Sequence, residues 1–151
     1  VRNIVAKRSV APIETTVELA ELIRESYPAK LRYGKIHPAT KTFQALRIEV
    51  NRELEVLEKV LDQIVPFLKM HGKIVVISFH SLEDRIVKQV FNKLAAREDV
   101  LFEVLTKKPV IPSKEEIDEN SRSRSAKLRV IKRVEQKRNK NKYAQFSKID
   151  R

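Results

Sequence analysis

Apolar residues recur along this chain with two different periods. Phe43, Leu46, Val50, Leu54, Leu57, Leu61 and Ile64 stand three or four residues apart, the spacing that gathers side chains on one face of an α-helix. They predict one long amphipathic helix over 42–64, bending or ending near Pro66. Upstream, Thr15-Thr-Val-Glu18 is a capping box and opens a helix over 16–26, which Tyr27-Pro28 ends because the residue before proline is pushed out of the α region. Residues 2–8 have a helical look without a start signal, and 29–38 form a basic loop holding Gly34 and Pro38.

The second period is that of a strand. Lys73 to Ile77 is a β-branched run behind Gly72, and Ser81-Leu-Glu-Asp84 fits the signature of a helix start, so the stretch reads strand, short turn, helix. The helix, over 82–96, turns Ile86, Val87, Val90, Phe91 and Leu94 toward the sheet. A second strand is predicted over 100–106 and a third over 127–134. Between them lie the stiff connection Lys107-Lys-Pro-Val-Ile-Pro112, a short helix opened by the capping box Ser113-Lys-Glu-Glu116, and a polar loop over 120–127. From Glu135 onward the chain is too charged to fold on its own. Three strands and three or four helices without internal repeat describe part of an α/β sheet.

Composition narrows the function classes. No apolar run approaches the ~20 residues of a membrane span, so no membrane association is expected. The absence of cysteine excludes disulfides and zinc–thiolate sites and suits the cytoplasm. With glycine only at positions 34 and 72, a glycine-rich phosphate or nucleotide loop cannot be built. The net charge of +12 is concentrated, because residues 121–151 hold 12 Lys and Arg against 2 acidic residues. A localised cationic surface favours nucleic acid or another polyanion, although a solvated basic tail has the same composition.

Candidate chemistry sits at the strand–helix junction. Ser78, His80 and Ser81 fall at the carboxyl end of a strand, where open α/β sheets bind ligands. On these residues alone the plainer assignment, with Ser81 as cap and His80 as filler of the turn, is favoured. Gln44, Arg47 and Asn51 share a second face of the long helix, and Lys41, Gln44 and Arg47 lie in its first two turns, where the macrodipole does not favour cations. That mismatch points to holding an anion or a base. Ser78, His80 and Asp84 include hydrolase residue types, but no Gly-x-Ser-x-Gly elbow presents a nucleophile, and His37, His71 and His80 lack metal-ligand spacing. Arg122, Arg124, Lys127 and Arg129 could pair with phosphate.

Four collinear segments carry a family resemblance: His37-Pro-Ala-Thr-Lys-Thr-Phe-Gln-Ala-Leu-Arg-Ile-Glu-Val-Asn51; Gly72 to Lys88, including Ile77-Ser-Phe-His-Ser-Leu-Glu-Asp-Arg85; Lys107-Lys-Pro-Val-Ile-Pro-Ser113; and Arg124-Ser-Ala-Lys-Leu-Arg129. Over these the chain resembles the carboxyl half of the RsmH (MraW) family, S-adenosylmethionine-dependent methyltransferases that modify N4 of a cytosine in the decoding centre of 16S ribosomal RNA. The resemblance implies an α/β fold, the carboxyl-terminal part of a class I (Rossmann-like) methyltransferase sheet preceded by the end of a helical insertion domain. Residues 1–40 would end the substrate-binding insertion, 41–134 would supply the later part of the methyltransferase domain, and 135–151 a basic tail. Lys73 to Ser78 would be the fifth strand and the two later strands its terminal antiparallel pair.

The same resemblance puts the catalytic groups and the cofactor-binding segments upstream of Val1, so no S-adenosylmethionine binding is expected from this chain alone. It leaves Gln44, Arg47, Ser78, His80 and Arg85 as substrate-pocket candidates and Lys41, Arg122, Arg124, Lys127 and Arg129 as candidates for the RNA backbone. The expected partner is 16S ribosomal RNA in the small ribosomal subunit, with self-association through an exposed sheet edge as a further expectation. An alternative is a truncated, non-catalytic RNA-binding module or inactive remnant. A DNA-binding protein, argued from charge alone, leaves 77–85 unexplained.

Overall fold

A computed structural model describes residues 1–136; the expected basic tail, apart from its first two residues, lies outside them. The chain divides into two compact units, Val1–Glu53 and Leu54–Arg151.

In the first unit, α1 (Arg2–Val10) starts without a side-chain cap and buries none of its residues. The second helix, α2 (Thr16–Glu25), is opened by Thr15, whose hydroxyl accepts the Glu18 N–H at 3.1 Å, while the Glu18 carboxylate accepts the Glu14 N–H at 3.1 Å. One orphan donor of the first turn, the Glu18 N–H, is thereby satisfied, and so is the N–H of Glu14 just before the cap. Arg32 closes the other end by donating to the carbonyls of Tyr27 and Glu25. After a short 3-10 turn at Ala29–Leu31 comes α3 (Thr40–Asn51).

The single long helix expected over 42–64 is in fact two. Arg52 sits at φ 51° and ψ 36°, in the left-handed region that costs a non-glycine residue roughly 1–2 kcal/mol, and α4 (Glu53–Ile64) starts immediately after it. The break makes possible a contact that a straight helix forbids. Arg47 donates to both carboxylate oxygens of Glu53, at 2.8 and 3.0 Å, and the Asn51 amide adds a third bond at 3.3 Å. Six residues apart on an unbroken helix, side chains point about 120° away from each other and could not pair in this way.

The second unit is α/β. Following α4 and a 3-10 turn at Val65–Phe67 that contains Pro66, the chain forms β1 (Lys73–Ser78), α5 (Ser81–Ala96), β2 (Phe102–Val104), α6 (Lys114–Glu119), a 3-10 turn at Ser121–Ser125, and β3 (Lys127–Arg133). The second strand is shorter than the predicted 100–106, and part of the stiff connection rejoins the sheet through a bridge between Val110 and Leu128. The strand order is β1-β3-β2 with both pairings antiparallel, so the last strand lies between the first two. Ile74 pairs with Ile131 and Val104 also pairs with Ile131, which places these side chains on one face. There Ile74, Phe102 and Ile131 pack with Val87, Val90, Phe91 and Leu94 of α5 and with Leu61 and Val65. The opposite face leaves Val75 and Ile77 each 54% exposed, and the outer edge of β1 has no partner strand among the described residues.

Candidate functional site

The turn after β1 is held from several directions. Ser78, buried at the strand end, donates from its hydroxyl to the Lys127 carbonyl at 3.4 Å, and the two residues are register partners across β1 and β3. Two residues on, the residue that caps α5 is His80, not Ser81. Its Nδ1 accepts the Glu83 N–H at 3.2 Å, and the Glu83 carboxylate accepts the N–H groups of Phe79 at 2.8 Å and His80 at 3.2 Å. The box predicted as Ser81 to Asp84 is thus shifted by one residue, with an imidazole nitrogen in place of a hydroxyl.

The shift frees Asp84 for a different partner. Arg129 reaches it with two hydrogen bonds, Nε to Oδ1 at 2.6 Å and an Nη to Oδ2 at 3.1 Å, and Lys127 Nζ stands 3.7 Å from Oδ2. Both members of the pair are largely buried, with side-chain exposures of 13% for Asp84 and 8% for Arg129. The hydrogen bond from Arg129 holds the Asp84 carboxyl below the ordinary aspartate range; burial opposes this, and the charges of Arg129 and Lys127 reinforce it. Arg129, expected to face the RNA backbone, is therefore an internal residue whose charge is matched by Asp84. Strand alternation carried the signal, since Arg129 and Ile131 fall on one face of β3 and that face is the buried one.

The other candidates are distributed as follows. Arg85 is exposed on α5. Arg122 and Arg124 are exposed on a 3-10 turn whose middle residue, Ser123, is buried and donates to the Asn120 carbonyl at 2.8 Å, so the turn presents both guanidinium groups from a fixed backbone. In the first unit, Gln44 and Arg47 line a concavity of about 400 Å³ together with Thr40 and Phe43, and Lys41 is exposed beside them in sequence. The structure thus links Ser78 to Lys127, and Lys127 and Arg129 to Asp84, around one turn of the second unit whose helix His80 caps, and brings Gln44 together with Arg47 within the first. Sequence reasoning missed the roles of Glu83, Asp84 and Glu53.

The second unit is thus an α/β arrangement, a small antiparallel sheet with polar groups gathered at the turn after β1. The sequence model of the MraW methylase family matches residues 1–134, and the chain belongs to that family. Among curated relatives, the ribosomal RNA small subunit methyltransferase H of Sulfurihydrogenibium sp. (strain YO3AOP1) is 56% identical over 133 residues, covering 88% of this chain and 45% of the relative. The protein of the same name from Persephonella marina is 55% identical over 131 residues, or 87% of this chain and 44% of the relative. That from Oenococcus oeni is 50% identical over 145 residues, 46% of its length. The chain spans less than half the length of the curated relatives it matches.

Proposed function

We propose that this chain forms the carboxyl-terminal part of an S-adenosylmethionine-dependent methyltransferase that acts on small-subunit ribosomal RNA in the cytoplasm, at N4 of a cytosine in the decoding centre. The names of the relatives, ribosomal RNA small subunit methyltransferases, support the substrate class. The observation that carries the assignment to this part of the fold is the strand order: β3 runs antiparallel between β1 and β2, as a fifth strand followed by a terminal antiparallel pair requires.

Methylating an exocyclic cytosine amine is difficult because its lone pair is delocalised into the ring. An enzyme must hold N4 in line with the methyl donor and stabilise the developing positive charge, and it must first take the base out of its stack. In this reading Ser78 and His80 form one wall of the base pocket. Gln44, Arg47 and Arg85 contact base or phosphate, and Lys41, Arg122, Arg124 and Lys127 hold the RNA backbone. The two glycines do not form a cofactor cradle. Gly72 is packed against Lys69 and Leu68, and Gly34 is an isolated loop residue. In this reading the methyl donor is held by sequence that the relatives have beyond the matched segment.

The test has two arms. Calorimetry on the purified chain should show no saturable binding of S-adenosylmethionine. Joined to or co-expressed with the amino-terminal portion of the Sulfurihydrogenibium relative, the chain should support transfer of labelled methyl to small-subunit RNA, and nuclease digestion should release the label as N4-methylcytidine. Micromolar binding by the chain alone, or label on another nucleoside, would refute the reading. A second reading, a non-catalytic RNA-binding module, is favoured only by the exposed Arg122 and Arg124. It predicts RNA binding without methyl transfer in the completed protein.

A further inference from the structure

No acidic residue stands between Glu25 and Glu49, while Lys30, Arg32, Lys35, Lys41 and Arg47 supply five positive charges to the same stretch. Its first part, residues 29–37, turns its side chains outward. Leu31 is 59% exposed, Tyr33 79% and Ile36 62%, with Lys30 and Lys35 exposed among them. The loop is nevertheless tied down. Arg32 donates to the carbonyls of Tyr27 at 2.8 Å and Glu25 at 3.0 Å, the Leu31 N–H donates to the Pro28 carbonyl at 2.8 Å, and the Ala39 N–H donates to His37 Nδ1 at 3.1 Å.

Tyr33 is the residue this tethering displays. The Arg24 guanidinium of α2 lies over its ring, 5.4 Å from the centroid, and Arg24 is itself paired with Glu21. A cation on one face orients the ring, and at this exposure the opposite face opens to solvent. An aromatic side chain stabilises a fold by being buried, so the bare face contributes nothing to the stability of the first unit.

We infer that Tyr33, backed by Arg24, is a stacking platform for an unpaired base of single-stranded RNA, with Lys30 and Lys35 on the flanking phosphates. This rests on ribosomal RNA being the substrate. Sites that bind single strands combine a cationic track for the backbone with an aromatic face on which a base lies, and this loop provides both. The ring is held in place before the RNA arrives, so little side-chain freedom is lost on stacking. Every base has a π-face, so the contact does not read base identity. It anchors the strand beside the site and leaves the choice of nucleotide to other residues.

The test compares two ligands of equal length and charge, a single-stranded oligocytidylate and an abasic oligomer with the same sugar-phosphate backbone. The 151-residue chain should bind the base-bearing oligomer about ten-fold more tightly, and its tyrosine fluorescence, undisturbed by tryptophan, should fall as a base covers the ring. Tyr33→Leu should lose most of that preference while its affinity for the abasic oligomer and its melting temperature stay unchanged. Tyr33→Phe should keep the preference. Lys30→Ala with Lys35→Ala should weaken both oligomers alike and reduce the salt slope by about 2. Equal affinity of the wild-type chain for the two oligomers would show that charge alone binds and would overturn the inference. An undiminished preference in Tyr33→Leu would overturn it too, because the stack would lie elsewhere. Failure of the completed protein to methylate ribosomal RNA would instead overturn the proposed function, since the oligomer comparison involves no methyl transfer.

Discussion

Removing the Asp84 carboxylate is the most revealing perturbation of the fold. In Asp84→Ala the Arg129 guanidinium, 8% exposed and placed by strand pairing opposite Val76, keeps its position in the sheet but loses both hydrogen bonds. Stranding one member of a buried ion pair costs about 3–5 kcal/mol, against a typical domain stability of roughly 5–15 kcal/mol, so the denaturation midpoint should fall steeply. Replacing both partners, Asp84→Leu with Arg129→Met, should be nearly neutral, because the buried charges go together and Lys127, whose side chain is 37% exposed, can be solvated without Asp84. The pH dependence has a definite sign. Asp84 titrates lower in the folded chain than its ordinary 3.8, so its contribution is complete above the ordinary aspartate range and is lost as pH falls through the lowered value. Urea denaturation followed by circular dichroism, repeated from neutral to acid pH, would measure both effects. A cost for Asp84→Ala below about 1 kcal/mol, the value of an exposed pair, would refute this account, as would an unchanged acid limb in Asp84→Asn.

Other outcomes follow from the same structure. A Cβ on Gly72 would lie 2.8 Å from the Lys69 carbonyl and 2.9 Å from Leu68 Cδ1, in a turn that also accepts the Arg133 N–H, so Gly72→Ala should cost roughly 1–3 kcal/mol in a thermal melt; an unchanged melt would show the turn can give way. Arg47→Ala, which removes a side chain 59% exposed in its pair with Glu53, should lower methyl transfer by the completed protein far more than it lowers stability, and parallel losses would make the residue structural. Replacing Arg122 and Arg124 with alanine should weaken binding to ribosomal RNA fragments and reduce the salt slope by about 2, and a chain ending at Val134 should show a further reduction; gel titrations at several salt concentrations would detect equal slopes if neither region touches phosphate.

Much of the secondary structure was legible because it rests on local patterns. The β-branched run at Lys73 to Ile77 and the apolar positions from Ile86 to Leu94 each report one face of one element, and both elements formed there. The break at Arg52 was not legible. Apolar spacing continues in phase from Val50 to Leu54, and a single left-handed residue leaves no mark on a periodic pattern. The cap of α5 was misassigned for a chemical reason, since Ser81 and Asp84 match the usual residue types and a histidine nitrogen does not. The pairing of Asp84 with Arg129 spans 45 residues and depends on how β3 enters the sheet, which no local window contains. Once the register is known, Val76 opposite Arg129 and Ser78 opposite Lys127 bring both cations to the turn that Asp84 follows.

The position of β3 also governs the order in which the second unit can mature. β1 and β2 do not bond to each other; each finds its partner only in the strand synthesised after both. Until residues 127–133 have left the ribosome, the earlier strands have only α5 and the Leu61 and Val65 side chains to pack against, and their backbone donors and acceptors remain open to any passing edge. Closure is a non-local event with a large loop to close, which favours slow folding after synthesis over a progressive build-up during it. A chain that stalled before Leu128 would carry most of its core residues and no way to join them into a sheet.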